Sequence, residues 1–214
     1  MELALAVRTR RMVRNYDPKR PVPREVVNAL LSLAVRAPSA GHTQGWHFLV
    51  LDDITSCSAF WTATTNGLAP NSWLTGMRTA PVLVVCWSDK QAYLDRYAEP
   101  DKGWTDRDEN RWPVPYWHLD AGMAAMILLL GAVDAGLGAC FFGVPPERWT
   151  ALRHAFAVPE GLSPVGVVSL GHPAAGDRAL DDRALDDRGP ERRSPSLRRG
   201  RRAFTEMVSY GSFG

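Results

Sequence analysis

Short, valine-rich apolar segments alternate along this chain with longer segments of helical periodicity, and this order restricts the folds that the chain can adopt. Four apolar runs have the length of buried strands, over 46–51, 81–87, 139–142 and 164–170. Helices are predicted over 2–9, 26–35, 55–65, 119–135 and 146–156, with helix and loop over 89–116. The alternation indicates a layered α/β or α+β domain in which helices cover a sheet.

The composition supports a sizeable core. Of the 214 residues, 45% are hydrophobic and eight are tryptophan, which excludes a globally disordered chain. The most apolar stretch, 121–135, contains Gly122, Gly131 and Asp134 and falls short of the roughly 18 consecutive apolar residues of a membrane span. We expect a buried core helix there and no membrane association.

Cysteine usage and the start of the chain favour a cytoplasmic protein. The three cysteines, Cys57, Cys86 and Cys140, lack CxxC spacing, so we interpret them as reduced thiols. Residues 1–7 are too short for a signal peptide and carry Glu2 where a basic region would stand. The histidines are scattered without paired spacing, so no metal site is predicted.

The region after residue 173 differs in composition from everything before it. It contains the tandem copies Ala-Leu-Asp-Asp-Arg at 179–183 and 184–188, and two such short copies cannot build a repeat core. We therefore divide the chain into a folded domain over 1–173, a surface linker over 174–196 and a C-terminal arm over 197–214. The arm is expected to reach across to a partner subunit.

Two arginine clusters stand near the ends of a chain whose net charge is only +2. They comprise Arg8, Arg10, Arg11 and Arg14, and Arg198, Arg199, Arg201 and Arg202. Guanidinium groups bind phosphate oxygens in bidentate fashion, so folding or dimerisation that joins the clusters would create a phosphate site. The alternatives are a solvated basic helix end and electrostatic binding of nucleic acid. The modest net charge and the aspartates just upstream of the second cluster argue against nucleic acid.

Two further segments next to predicted elements are candidates for ligand binding. The loop 37–46, Ala-Pro-Ser-Ala-Gly-His-Thr-Gln-Gly-Trp, is either a plain helix-to-strand connection or a site for a polyhydroxylated, heteroaromatic ligand. The segment 136–143, Gly-Leu-Gly-Ala-Cys-Phe-Phe-Gly, superficially resembles a dinucleotide fingerprint. It lacks the third glycine and leads from a helix into a strand, which is the reverse of the order that the fingerprint requires.

Taken in order, these segments resemble the FMN-dependent nitroreductase family. The resemblance rests on Arg-Arg-x-x-Arg at 10–14, Ala-Pro-Ser-Ala-Gly-x-Thr-Gln-x-Trp at 37–46, the glycine-rich segment at 136–143, Pro-Glu-Gly at 159–161 and the basic residues at 199–202. It implies an α+β fold with a central mixed or antiparallel sheet flanked by helices. It also implies a homodimer with a swapped C-terminal arm and FMN bound at the interface.

The basic residues would hold the two ends of the cofactor. The resemblance places Arg10 and Arg11 at the phosphate and Arg14 at the pyrimidine edge of the flavin. It places Arg199 and Arg201 where they close on the same phosphate.

The loop and the glycine-rich segment would surround the flavin ring and its ribityl chain. His42 and Gln44 would lie near the ribityl chain, and the backbone of Phe142 and Gly143 near flavin N5. Three residues are implied to come from the partner subunit and to pack on the ring system: Pro38, Ser39 and Ala40.

Three positions depart from the family pattern. Met12 stands where Ser is common, so one hydroxyl donor is lost from the implied cofactor site. His42 stands where Asn is common and can replace a polar contact in a pH-dependent way. Gly45 stands where Pro is common.

The resemblance implies an oxidoreductase that passes hydride from NAD(P)H through FMN to a small acceptor such as a nitroaromatic or a quinone. The flavin would carry the chemistry in ping-pong order, so no protein nucleophile or general base is expected. Two alternatives remain open. One is a flavin-binding or flavin-sequestering protein without turnover. The other is a specialised branch of the family that cleaves flavin, dehalogenates, or desaturates a bound substrate.

Overall fold

A four-stranded antiparallel sheet forms the centre of the computed structural model, which describes residues 1–175 and 202–213. The strands are β1 (Trp46–Leu51), β2 (Val82–Asp89), β3 (Gly138–Phe142) and β4 (Leu162–Gly171), in the spatial order β1-β2-β4-β3. The four predicted strands are confirmed within two residues at each end. The expected mixed or antiparallel sheet is antiparallel at every strand pair.

Eight α-helices occur in the described residues. They are α1 (Leu3–Thr9), α2 (Arg24–Ala34), α3 (Ile54–Thr65), α4 (Ser72–Met77), α5 (Lys90–Ala98), α6 (Tyr116–Asp134), α7 (Trp149–Ala155) and α8 (Phe204–Met207). Short 3₁₀ turns lie at Ala40–His42, Glu109–Arg111 and Pro146–Arg148. The sequence did not predict α4, because six residues are too few to show helical periodicity. Its start is marked only by the Asn71 side chain, which accepts a hydrogen bond from the Leu74 N–H.

Helices cover both faces of the sheet. Residues Leu83, Val85 and Trp87 of β2 pack with α3, α4 and α7, while Val82 and Val84 pack with α2 and α6. Successive residues of a strand point to opposite faces, so a central strand buried on both sides needs a continuous apolar run. The valine-rich segment that predicted β2 is therefore explained by its position between two layers of helices.

Helix α6 lies across one face of the sheet and contacts all four strands. Its buried positions include Ala121, Ala125 and Leu128, which confirms the predicted core helix. Among the helices of the described residues, α6 alone is long and apolar enough to cross a membrane. Half of its most apolar window is buried in the fold, and core helices of globular proteins meet the same criteria.

The segment that follows α1 lies beside β3, one of the two edge strands of the sheet. Met12 forms a parallel bridge with Ala139, and the Val13 N–H donates to the Ala139 carbonyl at 3.0 Å. Gly138 permits this approach, because a Cβ there would lie 2.7 Å from Val13 Cγ2. The first arginine cluster is thereby attached to the β3 edge. The domain division at residues 173 and 196 stays a prediction, and 176–201 lie outside the described residues.

Candidate functional site

The first arginine cluster contains a guanidinium nitrogen that no group in the described chain satisfies. Arg11 Nη1 donates to the carbonyls of Arg8 and Arg10 at 2.8 and 2.9 Å. Arg11 Nε is buried and finds no hydrogen-bond acceptor among residues 1–175 and 202–213. A buried donor without an acceptor costs about 1–3 kcal/mol, so an anionic or polar group at this place would be stabilising.

A cleft lies beside Arg11, between α1 and the turn that joins α6 to β3. Its volume is about 280 Å³, and its walls include Leu5, Val133 and Leu137. Ligand pockets usually enclose about 300–1,000 Å³, so this cleft is slightly smaller than that range. Arg14 lies on the exposed side of the same segment, and its Nη1 donates to the Met12 carbonyl at 3.2 Å.

The loop between α2 and β1 is closed on itself by hydrogen bonds. The Gln44 N–H donates to Ser39 Oγ at 2.9 Å, and the Thr43 hydroxyl donates to the Ala40 carbonyl at 2.6 Å. His42 Nε2 and Gln44 Nε2 lie 3.1 Å apart. Pro38, His42 and Gln44 are exposed in the single chain, while Ser39 and Ala40 are half-buried. The loop therefore presents polar side chains to solvent from a fixed backbone.

Three residues of this loop have left-handed backbone conformations. Gly41, His42 and Gln44 have φ of 61°, 55° and 56°. Positive φ is uncommon in residues other than glycine and costs of order 1 kcal/mol or more, so it persists only where surrounding contacts impose it. Such strain is concentrated at functional sites in proteins.

The contacts that impose the loop conformation come from α5 and α6. Asp120 of α6 is 1% exposed, and its Oδ2 accepts the Ala40 N–H at 2.8 Å and the Tyr93 hydroxyl at 2.7 Å. Arg96 Nε donates to the Gly41 carbonyl at 2.9 Å. Burial, together with the hydrogen bond to Asp120, holds the pKa of Tyr93 well above its usual value. The hydroxyl is thus a donor at neutral pH.

These supporting residues were not predicted from the sequence. The one signal available was a single carboxylate, Asp120, inside the otherwise apolar segment that predicted α6. A lone charged residue in a buried helix needs a polar partner, and the partner here is 80 residues earlier in the chain.

The end of β3 is the third part of the predicted site. The Phe142 ring packs against Trp61 and Trp73, so its side chain is directed into an aromatic cluster under the sheet. Gly143 is exposed, and a Cβ at Gly143 would have no neighbour within 4 Å. The backbone at Gly143 is accordingly accessible.

Within one chain, the loop and the arginine cluster lie far apart. Asp120, which binds Ala40, stands near the start of α6, and Val133, which lines the cleft beside Arg11, stands near its end. Thirteen residues of helix separate them, which corresponds to about 20 Å. A single chain does not bring these two predicted parts together. Arg199 and Arg201 lie outside the described residues.

None of the three cysteines is placed to act as a nucleophile. All three are buried, and burial raises the pKa of Cys57 to about 11 and that of Cys86 to about 12. The thiolate is the reactive form of cysteine, so Cys57 and Cys86 are inert at neutral pH. All three are free cysteines, in agreement with the predicted reduced thiols.

Helices on both faces of a four-stranded antiparallel sheet define an α+β fold. The sequence profile of the Nitroreductase family matches residues 7–172, and the chain belongs to that family.

Two archaeal relatives are both named "Putative NADH dehydrogenase/NAD(P)H nitroreductase". The protein from Archaeoglobus fulgidus is 32% identical over 164 residues, which cover 75% of this chain and 79% of the relative. The protein from Methanothermobacter thermautotrophicus is 30% identical over 171 residues, which cover 78% of this chain and 75% of the relative.

Solved structures confirm the nitroreductase fold. A "putative nitroreductase in complex with fmn" from Desulfovibrio desulfuricans has a TM-score of 0.68 at 24% identity, covering 100% of this chain and 99% of that chain. A structure of the same description from Exiguobacterium sibiricum has a TM-score of 0.68 at 19% identity. The match covers 98% of this chain and 97% of that chain.

Proposed function

We propose that this protein is a homodimeric, FMN-dependent oxidoreductase that takes hydride from NAD(P)H and delivers it to a small acceptor such as a nitroaromatic or a quinone. Family membership supports the class of reaction. The names of the archaeal relatives support the nicotinamide donor, and the FMN complexes of the two structural neighbours support the cofactor. A cytoplasmic location, without membrane or nucleic-acid partners, is part of the proposal.

The observation that carries the proposal is Arg11 Nε, which is buried without a hydrogen-bond partner in the described part of the chain and lies within a segment of four arginines. A phosphate supplies several strong acceptor oxygens, so it fits this donor set better than a neutral ligand would. Arg10 and Met12 flank this donor along the same segment. The residues present therefore fit an FMN phosphate at the β3 edge.

A second copy of the chain would complete the site. The loop and the arginine cluster lie at opposite ends of α6, so antiparallel pairing of two α6 helices would place the loop of one copy beside the arginines of the other. The outer face of α6 fits such pairing, because Leu119, Met123 and Met126 are 49%, 40% and 40% exposed at helical spacing. Large exposed apolar patches are typical of protein interfaces.

The C-terminal segment is proposed to wrap around the partner. Helix α8 and the residues after it carry four large apolar side chains that are 59% to 97% exposed, namely Phe204, Met207, Tyr210 and Phe213. Arg199 and Arg201, just before this segment, are proposed to close on the phosphate.

Bound FMN would supply the hydride chemistry, and the protein would bind and orient it. Arg14 would stabilise negative charge at the pyrimidine edge, and the backbone N–H of Gly143 would donate a hydrogen bond near N5. Pro38, Ser39 and Ala40 would cover the ring system and exclude water, while His42 and Gln44 would bind the ribityl hydroxyls. NAD(P)H and the acceptor would use the same face of the flavin ring in turn, which gives a ping-pong order.

Stopped-flow absorbance of the purified, flavin-loaded protein tests the reaction. We expect NADH or NADPH to bleach the flavin absorbance, and we expect a nitroaromatic or quinone, added afterwards, to restore it. Failure of both half-reactions with flavin bound would exclude the proposed enzymatic function and would identify a flavin-binding protein without turnover. Loss of FMN affinity in Arg11→Ala, relative to Arg24→Ala, whose guanidinium pairs with Asp52 and has no part in the proposed site, tests the phosphate contact.

Light scattering after size-exclusion chromatography tests the dimer. Wild-type protein is expected at twice the chain mass. The double substitution Met123→Glu and Met126→Glu is expected to give monomers that lose FMN, because charge at a buried interface is costly. Ile54→Glu is the control, because Ile54 is 87% exposed and lies outside the α6 face. A wild-type monomer that binds FMN tightly would contradict the shared site.

A further inference from the structure

Asp120, Tyr93 and Gly45 form a buried unit that the proposed flavin chemistry does not use. The Asp120 carboxylate is 1% exposed and Tyr93 is 0% exposed, yet both direct polar groups at one another rather than at solvent. The carboxylate also accepts the backbone N–H of Ala40. Burying a carboxylate is costly unless its hydrogen bonds are satisfied. Its presence here therefore indicates that the two groups it binds, the Ala40 N–H and the Tyr93 hydroxyl, need to be held in place.

Gly45 and Tyr93 are coupled by direct packing. A Cβ at Gly45 would lie 2.5 Å from Tyr93 Cε2 and 3.0 Å from the Asp89 carbonyl oxygen. Proline, which is common at this place in the family pattern, carries that same carbon and cannot coexist with the ring in its present position. The absence of a side chain at Gly45 is what lets Tyr93 lie under the loop and reach Asp120.

The unit acts on the strained part of the loop. Ala40 immediately precedes Gly41 and His42, whose φ are 61° and 55°. The Asp120 contact fixes the amide on one side of this strained pair. The Arg96 guanidinium fixes the Gly41 carbonyl, and a Cβ on Gly41 would meet the Tyr97 ring at 2.8 Å. Helices α5 and α6 therefore hold one face of the loop, while the other face is exposed to solvent.

We propose that Asp120 is a positioning residue, which together with Tyr93 pre-forms the Ser39–Gln44 loop for the flavin of a partner subunit. The inference rests on the proposed function, because the loop is assigned to flavin there. The Ala40 N–H is occupied by Asp120, so the loop offers the ligand its side chains and the remaining backbone groups. Pre-forming the loop removes the entropy cost of ordering it on binding, and this raises the affinity for FMN.

Three variants separate positioning from general stability. Asp120→Ala removes the acceptor of both hydrogen bonds. Asp120→Asn keeps a carbonyl oxygen that can accept them and removes the charge. Leu128→Ala, two turns further along α6 and 0% exposed, destabilises the same helix without contact to the loop.

Two readouts are needed for each variant, namely the FMN dissociation constant from quenching of flavin fluorescence and amide hydrogen exchange of residues 39–45 in flavin-free protein. Asp120→Ala is expected to raise the dissociation constant about tenfold to a hundredfold and to speed exchange in the loop. Asp120→Asn and Leu128→Ala are expected to stay within about threefold of wild type for FMN affinity. All measurements are made well below each variant's melting temperature.

The results distinguish the two proposals. Unchanged loop exchange or unchanged FMN affinity in Asp120→Ala would overturn the positioning role. An equal loss of affinity in Leu128→Ala would overturn it too, because the effect would then follow stability alone. Wild-type protein that protects the loop amides through Asp120 but does not bind FMN would overturn the proposed function, and with it the purpose assigned to the loop.

Discussion

The ring of Phe142 lies parallel to the indole of Trp61, with 5.7 Å between ring centroids and 8° between ring planes. Trp73 contacts Phe142 edge-on at 5.6 Å. Since Phe142 is the last residue of β3 and Trp61 belongs to α3, this stack fixes the end of the strand to the helix layer beneath it. Gly143, whose backbone is accessible, is the next residue in the chain. The packing of Phe142 therefore positions the part of the chain that is proposed to approach flavin N5.

Phe142→Ala is expected to lower the free energy of unfolding by about 2–4 kcal/mol, because it removes a half-buried aromatic ring and leaves a cavity between two tryptophans. Urea denaturation followed by tryptophan fluorescence measures the change. Ile54→Ala is the control, since Ile54 is 87% exposed and lies outside the proposed dimer interface, and its effect is expected within about 0.5 kcal/mol. Equal effects of the two substitutions would show that the stack contributes nothing to stability.

Gly45→Ala is expected to destabilise the fold by about 1–3 kcal/mol, because the new methyl group overlaps the Tyr93 ring. In a Tyr93→Ala background the same substitution should cost much less, and the difference measures the coupling between the two residues. Gly161→Ala is the control, because a Cβ at Gly161 meets nothing within 4 Å. Additive effects of Gly45→Ala and Tyr93→Ala would contradict the packing described for this loop.

Met12→Ser tests the departure from the family pattern at the β3 edge. Met12 packs against both core clusters, and its Sδ accepts the Phe141 N–H at 3.4 Å. The serine hydroxyl would add a donor at the proposed phosphate site, so tighter FMN binding is expected, together with a loss of about 1–3 kcal/mol of stability. Met12→Ala shares the packing loss but lacks the hydroxyl. Equal FMN affinity in the two variants would count against a phosphate contact at residue 12.

Burial of His118 is expected to make the free energy of unfolding smaller in mild acid than at neutral pH. Burial lowers the pKa of His118 below its usual value, and its Nδ1 lies 2.9 Å from Ser88 Oγ. The unfolded chain takes up a proton as the pH falls through about 6.5, whereas the folded chain resists it, so stability is lost as the pH falls from there towards the lowered pKa. His118→Asn removes this proton uptake. Unfolding free energies at pH 7.5 and pH 5 should therefore differ less in the variant than in wild type.

The control for this pH dependence is His154→Asn, in which the exposed histidine of α7 is replaced. Its acid-induced loss of stability is expected to equal that of wild type. If His118→Asn loses stability on acidification as steeply as wild type does, burial of His118 does not explain the acid sensitivity.

Local patterns were sufficient for most of the secondary structure. The run Trp46–Leu51 predicted β1 at its observed bounds, and the apolar stripe before Pro38 predicted α2. Both predictions succeeded because the periodicities of strands and helices depend only on residues close together in the chain. The short helix α4 and the 3₁₀ turn at Ala40–His42 were not predicted. Both are specified by a few side-chain contacts rather than by a repeating pattern.

The sequence by itself determined the family, the order of the elements and which polar segments stand beside them, because each of these depends on residues close together in the chain. Only the tertiary structure decided that Asp120 holds Ala40, that Tyr93 occupies the space left by Gly45, and that the loop and Arg11 lie at opposite ends of α6. These relationships join residues far apart in sequence. They follow from how helices pack on the sheet, and no local periodicity records that packing.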